Sequence, residues 1–376
     1  MSFKIHLDRE TLLKPLQMVI GVVERKQTMP ILANVLLHID SEQLAVTGTD
    51  SEVELVGFAP LAHPANTKTS LTLPGRKLMD ICRALPDQAP IELYQQKEKV
   101  VLASGRSRFA LSTLDANEFP KTDSHQGQLA FTLAQFQLKQ LLQRTYFAMA
   151  QQDVRYYLNG LLFEVFDRQL RAVATDGHRL ALNTTALTSA PDYSAGQSKW
   201  QVIIPRKGVI ELLRLLEDDE QEVGVNLSPH HIQITAESFV FTSKLVEGRF
   251  PDYERVIPRK CQHAVLIDRD TLKRSLTRSA ILCNEKYRGV RFELQDNLLK
   301  ISTNNPEQES AEEEINLDYQ GAPLDIGFNV GYLLDVLNVI KSEQVKFSFI
   351  DANSSALLEE VDGHDHGVFV VMPMRL

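Results

Sequence analysis

Along this chain, short alternations of apolar and polar residues are broken six times by stretches in which apolar residues recur at helical spacing. The clearest alternation runs through Leu161, Leu162, Phe163 and Val165, crosses a polar turn at Asp167-Arg168, and returns to end in Ala174-Thr175-Asp176. That pattern predicts a β-hairpin closed by a further turn. It occurs three times: Asn34 to Ile39 followed by Leu44 to Asp50, and Gly289 to Leu294 followed by Leu298 to Asn304, are the other copies. Asp50, Asp176 and Asn304 are corresponding positions, 126 and 128 residues apart in a chain of 376. Such a period exceeds any solenoid unit and fits three whole domains, predicted at 1–127, 128–261 and 262–376.

Each third is predicted to open on a helix. Asp8-Arg9-Glu10-Thr11-Leu12 and Asp268-Arg269-Asp270-Thr271-Leu272 are nearly the same phrase, with an Asp suited to capping, while Thr132 to Phe136 is read as the opening of the middle helix. Pro15 is expected to kink the first helix. A second helix follows the hairpin in each third, entered from a strand at Leu73-Pro74-Gly75, Ile204-Pro205-Arg206 and Phe328-Asn329-Val330. Its apolar stripe (Leu78/Ile81/Cys82/Leu85, Val209/Leu212/Leu213/Leu216, Leu333/Val336/Leu337/Ile340) suits packing on a sheet. Alternating strands from Ser107, Ser238 and Val368 close the thirds. The fold class is therefore α+β: three similar domains, each two helices on one side of antiparallel sheet.

Composition changes this picture little. The chain is 43% hydrophobic and 24% charged, with no apolar run of membrane-spanning length and no secretory signal. Cys82, Cys261 and Cys283 are far apart and unpaired by motif, which fits idle thiols in a reducing cytoplasm and neither a disulfide framework nor a metal site. No cofactor is expected. Charge is more informative. The six predicted helices (8–26, 75–85, 132–146, 206–217, 268–282, 330–341) together carry +8, so the rest of a chain of net charge −9 carries −17. Basic helices and acidic strands and loops suggest one wall facing a polyanion.

Five phrases, in order, carry a family resemblance: Tyr156-Tyr157-Leu158-Asn159-Gly160, Val173 to Leu180, Gly248 to Tyr253, Asn304 to Glu309, and Met372-Pro373-Met374-Arg375-Leu376. Over its full length the sequence resembles the bacterial DNA polymerase III β subunits, the β sliding clamps. The resemblance implies the DNA clamp fold, a head-to-tail homodimer forming a closed ring, and a non-catalytic role: encircling duplex DNA and tethering the polymerase to its template. Geometry agrees. Domains of about 125 residues are roughly 35 Å across; three in contact leave almost no hole, whereas six leave one wide enough for a duplex.

The resemblance also implies site residues. The dimer interface falls on Arg106, Arg108, Phe109 and Leu111 in the first domain and Ile281 and Leu282 in the third, with Glu309, Glu312 and Glu313 opposite the arginines. DNA contact, loose and without sequence preference, falls on Lys26, Arg76, Arg206, Lys207 and Arg214, with Gln152, Tyr156 and Tyr157 in a loop. A partner-peptide pocket comprises Leu158, Thr175, Gly177, His178, Arg179, Leu180, Pro251, Arg255, Val256, Asn329, Tyr332, Val370, Val371, Met372, Pro373, Met374 and Arg375. Its methionines would repack around different ligands. The replicative polymerase subunit, the clamp loader, repair polymerases and mismatch-repair proteins would share it through short linear motifs.

Enzymatic readings are weak. Asp176-Gly177-His178 would be an acid–base pair only if neighbours in a turn faced one atom, and the other copies have Ser51-Glu52 and Asn305-Pro306 there. His364-Asp365-His366 has no companion ligands at metal-site spacing, and no phosphate-cradling G-x-x-x-x-G-K-[ST] is present. The alternative to a topological tether is a metal-dependent nuclease on the same scaffold that uses the acidic run; metal-dependent DNA cleavage would distinguish it.

Overall fold

A computed structural model describes residues 3–23, 29–62, 64, 68–120, 122, 127–188, 191–193, 199–361 and 367–375. The first third comprises β1 (Lys4–Asp8), α1 (Arg9–Val19), β2 (Asn34–Ile39), β3 (Gln43–Thr49), β4 (Val53–Pro60), β5 (Thr69–Pro74), α2 (Gly75–Ala84), β6 (Pro90–Gln96), β7 (Lys99–Ser104) and β8 (Ser107–Ser112). The middle third comprises β9 (Leu129–Ala134), α3 (Gln135–Gln143), β10 (Gly160–Phe166), β11 (Gln169–Thr175), β12 (Arg179–Ala186), the short β13 (Asp192–Tyr193), β14 (Lys199–Pro205), α4 (Arg206–Leu215), β15 (Glu222–Leu227), β16 (His231–Thr235) and β17 (Phe239–Lys244). The last third comprises β18 (His263–Asp268), α5 (Arg269–Ser279), β19 (Gly289–Gln295), β20 (Leu298–Asn304), β21 (Ser310–Asn316), β22 (Leu324–Asn329), α6 (Val330–Val339), β23 (Gln344–Phe349), β24 (Ala356–Glu360) and β25 (Val368–Val371).

The three hairpins lie where the alternation puts them, and the same topology recurs in each third. One sheet of four strands is ordered β5-β2-β3-β4, β14-β10-β11-β12 or β22-β19-β20-β21; a second is ordered β1-β6-β7-β8, β9-β15-β16-β17 or β18-β23-β24-β25. Each domain thus has two four-stranded sheets rather than one. Four of these six sheets fuse in two pairs across domains, because β17 pairs antiparallel with β4 and β12 with β25. The chain accordingly condenses into two compact units, Met1–Phe136 with Thr188–Gln197 and Lys207–Leu245, and Gln137–Leu187 with Ser198–Arg206 and Val246–Leu376. The middle third is divided between them. Hydrophobic periodicity reports which face of a strand is buried but not which strand lies beside it, so these joins are invisible to it.

Local chemistry accounts for several departures. Asp268 caps α5, its Oδ1 accepting from Thr271 N at 2.7 Å, but Asp8 makes no side-chain cap bond. There Glu10 instead accepts from Gln88 N at 3.1 Å. The middle helix starts at Gln135, not Thr132: Leu129, Phe131 and Leu133 alternate inward as strand β9 and pair with β15. Helix α1 runs through Pro15, which packs so closely on β4 that a Cβ on Gly57 would lie 3.0 Å from the Pro15 Cα. The first two turns after the hairpins use Asp50 and Asp176, but in the third copy Asn305 replaces Asn304 in this role, its Oδ1 accepting from Glu309 N at 2.9 Å. Lys26 and His364-Asp365-His366 lie outside the described residues.

Candidate functional site

In the second unit, β12 and β25 lie side by side with Leu180 opposite Val370 and Arg179 opposite Val371. The turn leading into β12 is fixed by its own side chains. Thr175 Oγ1 donates to Arg179 O at 2.6 Å, and Asp176 Oδ1 accepts from His178 N at 2.9 Å and Arg179 N at 3.0 Å. Gly177 sits at φ +89°, a conformation glycine adopts without strain. Met372 N then donates to His178 O at 2.9 Å and Met374 N to Gly327 O at 2.8 Å, tying the C-terminal segment along the turn. Asp176 is thereby occupied as a structural acceptor, which removes the acid–base reading.

A cleft of about 610 Å³ opens beside this turn. Leu158, Thr175, Gly177, Arg179, Leu180, Pro251, Arg255, Val256, Val370 and Met372 all line it. Most of the predicted pocket therefore converges. Of the remainder, His178 contributes its carbonyl, Val371 is fully buried, Pro373 and Met374 are half-buried and Arg375 is exposed. Asn329 caps α6, accepting from Gly331 N at 2.9 Å. Tyr332 lies under Arg179, whose guanidinium carbon is 4.5 Å from its ring centroid and 5.4 Å from that of Phe147. The same guanidinium donates to Phe147 O at 2.6 Å and pairs with Asp335, so Arg179 clamps α6 to the cleft.

The sequence reading missed the floor of the cleft. Tyr253 lines it, and its hydroxyl donates to Glu164 at 2.8 Å and accepts from Arg171 at 2.9 Å. Burial pushes the Tyr253 phenol up to about 12. Burial would also raise the buried Glu164 carboxyl, but hydrogen bonds from Lys199, Tyr253 and Gln201 outweigh it and hold it below the ordinary value. Tyr157, assigned to DNA, packs against an apolar cluster that includes Leu180, Phe250, Tyr253 and Val370, and lines the cleft. Asp153 anchors the adjoining loop. Arg155 donates to it from Nε at 3.0 Å, Nη2 at 2.9 Å and its main-chain N at 2.8 Å, holding the carboxyl down to about 2. A depressed carboxyl contributes stability above its unfolded value, ~3.9, and loses it as pH falls toward the folded value. The Asp153 carboxyl carbon should accordingly titrate near pH 2 by NMR. Arg155→Ala should return it to the ordinary range; an unchanged midpoint would refute the pairing.

The basic residues vary in availability. Arg76 is half-buried, donating to Val23 O at 2.7 Å. Arg206 is half-buried against Met149 O at 3.2 Å, and burial pushes its guanidinium down. Lys207 is exposed and pairs with Asp50, while Arg214 pairs with Glu211 at 2.6 Å. Gln152 is exposed at φ +57°, and Tyr156 is 75% exposed beside Val154 at 86%, an open platform.

Comparison with known proteins decides the family. Three models of the DNA polymerase III beta subunit match in succession: its N-terminal domain over residues 1–123, its central domain over 132–252 and its C-terminal domain over 254–375. The chain belongs to the DNA polymerase III beta subunit family. It is 55% identical over 370 residues to the beta sliding clamp of Pseudomonas aeruginosa, covering 98% of this chain and 99% of that one. It is 47% identical over 374 residues to that of Escherichia coli K12, covering 99% and 100%. A crystal structure of the Pseudomonas aeruginosa DnaN sliding clamp bound to griselimycin matches over 100% of both chains, with TM-score 0.95 at 54% identity. A Caulobacter crescentus beta sliding clamp matches over 100% of both with TM-score 0.92 at 36% identity. The protein is a DNA sliding clamp, a non-catalytic processivity factor that works with DNA and the polymerase.

In this clamp most of the predicted interface residues lie at two sheet edges, and Ile281 and Leu282 lie in the 3-10 turn Ala280–Leu282 after α5. Arg108, Phe109 and Leu111 are on β8 with Arg106 in the turn before it, and among the described residues β8 is paired only with β7. Glu312 and Glu313 are on β21, which among the described residues is paired only with β20, with Glu309 just before it. Ile281 is 76% exposed and Leu282 half-buried. The glutamates already have partners within the chain: Glu313 accepts from Arg278 at 2.5 Å and 2.7 Å, Glu312 pairs with Lys300 at 3.0 Å, and Glu309 accepts from Asn305 at 2.7 Å. Arginines from a second copy would compete with these. Among the described residues no cluster of His, Cys, Asp or Glu could hold a metal ion, and no helix is long and apolar enough to cross a membrane.

Proposed function

We propose that two copies of this clamp close head to tail around duplex DNA by pairing β8 of one with β21 of the other. The observation that carries this is the topology: β4, β12 and β21 are equivalent strands, as are β17, β25 and β8. The first two pairs of these are joined within the chain, and β21 and β8 are the pair left over. Through the shared register, Phe109, Phe241 and Phe369 are equivalent; Phe241 faces Leu55 and Phe369 faces Ala181, and the equivalent position on β21 is Ala311. The inter-copy join would then set Phe109 against Ala311, Arg108 against Glu312 and Ala110 against Ser310. Apolar pairs hold the internal joins, whereas this one combines the pairing of Arg108 with Glu312 with apolar contacts of Phe109, Ile281 and Leu282, which suits a ring that opens between copies rather than within them.

Inside such a ring, Arg76, Lys207 and Arg214, with Lys26, Arg206 and the Gln152/Tyr156 loop, supply phosphate contacts weak enough to slide. The cleft beside Met372 takes short linear motifs of the replicative polymerase subunit, the clamp loader, repair polymerases and mismatch-repair proteins in turn, in the bacterial cytoplasm. The domains are taken as 1–127, 128–261 and 262–376. The test is a disulfide: Ala110→Cys with Ser310→Cys should give a covalent dimer on oxidation, since facing strand residues have Cα atoms about 4.5 to 5.5 Å apart. Failure to cross-link, with cross-linking instead when the second cysteine is moved along β21, would overturn the register.

A further inference from the structure

The cleft beside Met372 has a counterpart in the first unit. There β4 and β17 pair as β12 and β25 do, and the turn into β4 repeats the turn into β12 bond for bond: Thr49 Oγ1 donates to Val53 O at 3.0 Å, Ser51 takes φ +75° where Gly177 takes +89°, and Lys244 N donates to Glu52 O at 2.9 Å as Met372 N does to His178 O. Pro120 stands where the larger cleft has Pro251, each following a buried phenylalanine. Between these elements lies a separate cleft of about 300 Å³. Its backbone walls match those of the larger cleft, but its chemistry is inverted. Leu180, Val370 and Met372 are replaced by Glu54, Thr242 and Lys244, and His178 by Glu52.

We propose that this first-unit cleft is a second peptide site, which takes an extended segment bearing a lysine or arginine side chain against Glu54. It rests on the reading of the larger cleft as a peptide groove. Within the cleft Glu54 is half-buried, accepts from Thr122 N at 3.3 Å, and has no cation partner among the described residues. Burial pushes its carboxyl above the ordinary range, so a cation seated there would relieve a desolvated acid. Lys244 is the cation on the rim, and its exposed position lets it swing away. An apolar motif has no such complement here, so the two clefts would read different parts of a partner.

The probe is a fluorescein-labelled Gly-Arg-Gly-Arg-Gly-Arg peptide titrated against the full-length dimer, with a Gly-Ser counterpart as control. The arginine peptide should bind with a dissociation constant on the order of 1 mM or tighter, and the serine peptide should not. Glu54→Gln should weaken binding about tenfold, because it removes a charge-assisted hydrogen bond to the peptide. Lys244→Met should strengthen it, an opposite effect that misfolding would not give. Glu237→Gln, an equal change of charge on an exposed turn, and Met374→Ala should leave it unchanged. The proposal fails if Glu54→Gln does no more than Glu237→Gln, or if Met374→Ala abolishes binding, which would put the peptide in the larger cleft. Failure of the larger-cleft reading would show separately, as an apolar partner peptide indifferent to Met374→Ala.

Discussion

A clamp carrying Ile281→Ala and Leu282→Ala together should sediment as a folded monomer. Ile281 is 76% exposed in the single chain, so its truncation removes nothing from the core. In a closed ring the same side chains become buried, and each loses about 2 kcal/mol of burial on truncation to alanine. Two interfaces hold four such side chains, about 8 kcal/mol in all, enough to carry a tight dimer into the range where it dissociates at working concentrations. Circular dichroism should show unchanged secondary structure. A dimer of parental mass would place the interface elsewhere.

Deleting residues 372–376 should abolish partner-peptide binding while leaving the dimer intact. The truncation removes Met372 from the wall of the cleft and both main-chain bonds that hold the tail, Met372 N to His178 O and Met374 N to Gly327 O. A few buried side chains carry most of the affinity in such a site, so the loss should exceed ~2 kcal/mol, or about thirtyfold. Labelled polymerase and clamp-loader peptides should lose binding together, and Met374→Ala should weaken both in the same direction. Neither β8 nor β21 includes the tail, so molar mass should not change. Retained binding of either peptide would mean that the motif sits in another groove.

How much of this was legible in the sequence depends on range. The hairpins, the second helices and the threefold repeat were legible because burial alternates along a strand and recurs at helical spacing along a helix. Signals from one or two residues were less secure: Asp8 and Asp268 occur in the same phrase, yet only Asp268 bonds as a cap, and the alternating Leu129, Phe131 and Leu133 outweighed the helix signal at Thr132. The fusion of β17 with β4 and of β12 with β25 was not legible, since sequence periodicity carries no information about the partner strand. The cleft walls were legible only through family motifs. Its floor was not: Tyr253 lies within a motif, but Glu164 and Arg171 look like ordinary outward positions of a hairpin until the fold brings Lys199 and Gln201 to them.

The central claim is that the protein holds DNA by topology, and one measurement addresses it directly. The clamp is loaded by its clamp loader onto a nicked circular plasmid, freed from unbound protein by gel filtration, and followed after a restriction cut. It should co-elute with the intact circle through a high-salt wash that screens phosphate contacts, and leave soon after linearisation. A protein that salt strips from the circle, or that stays on linear DNA as long as on the circle, would be held by contacts rather than by a closed ring.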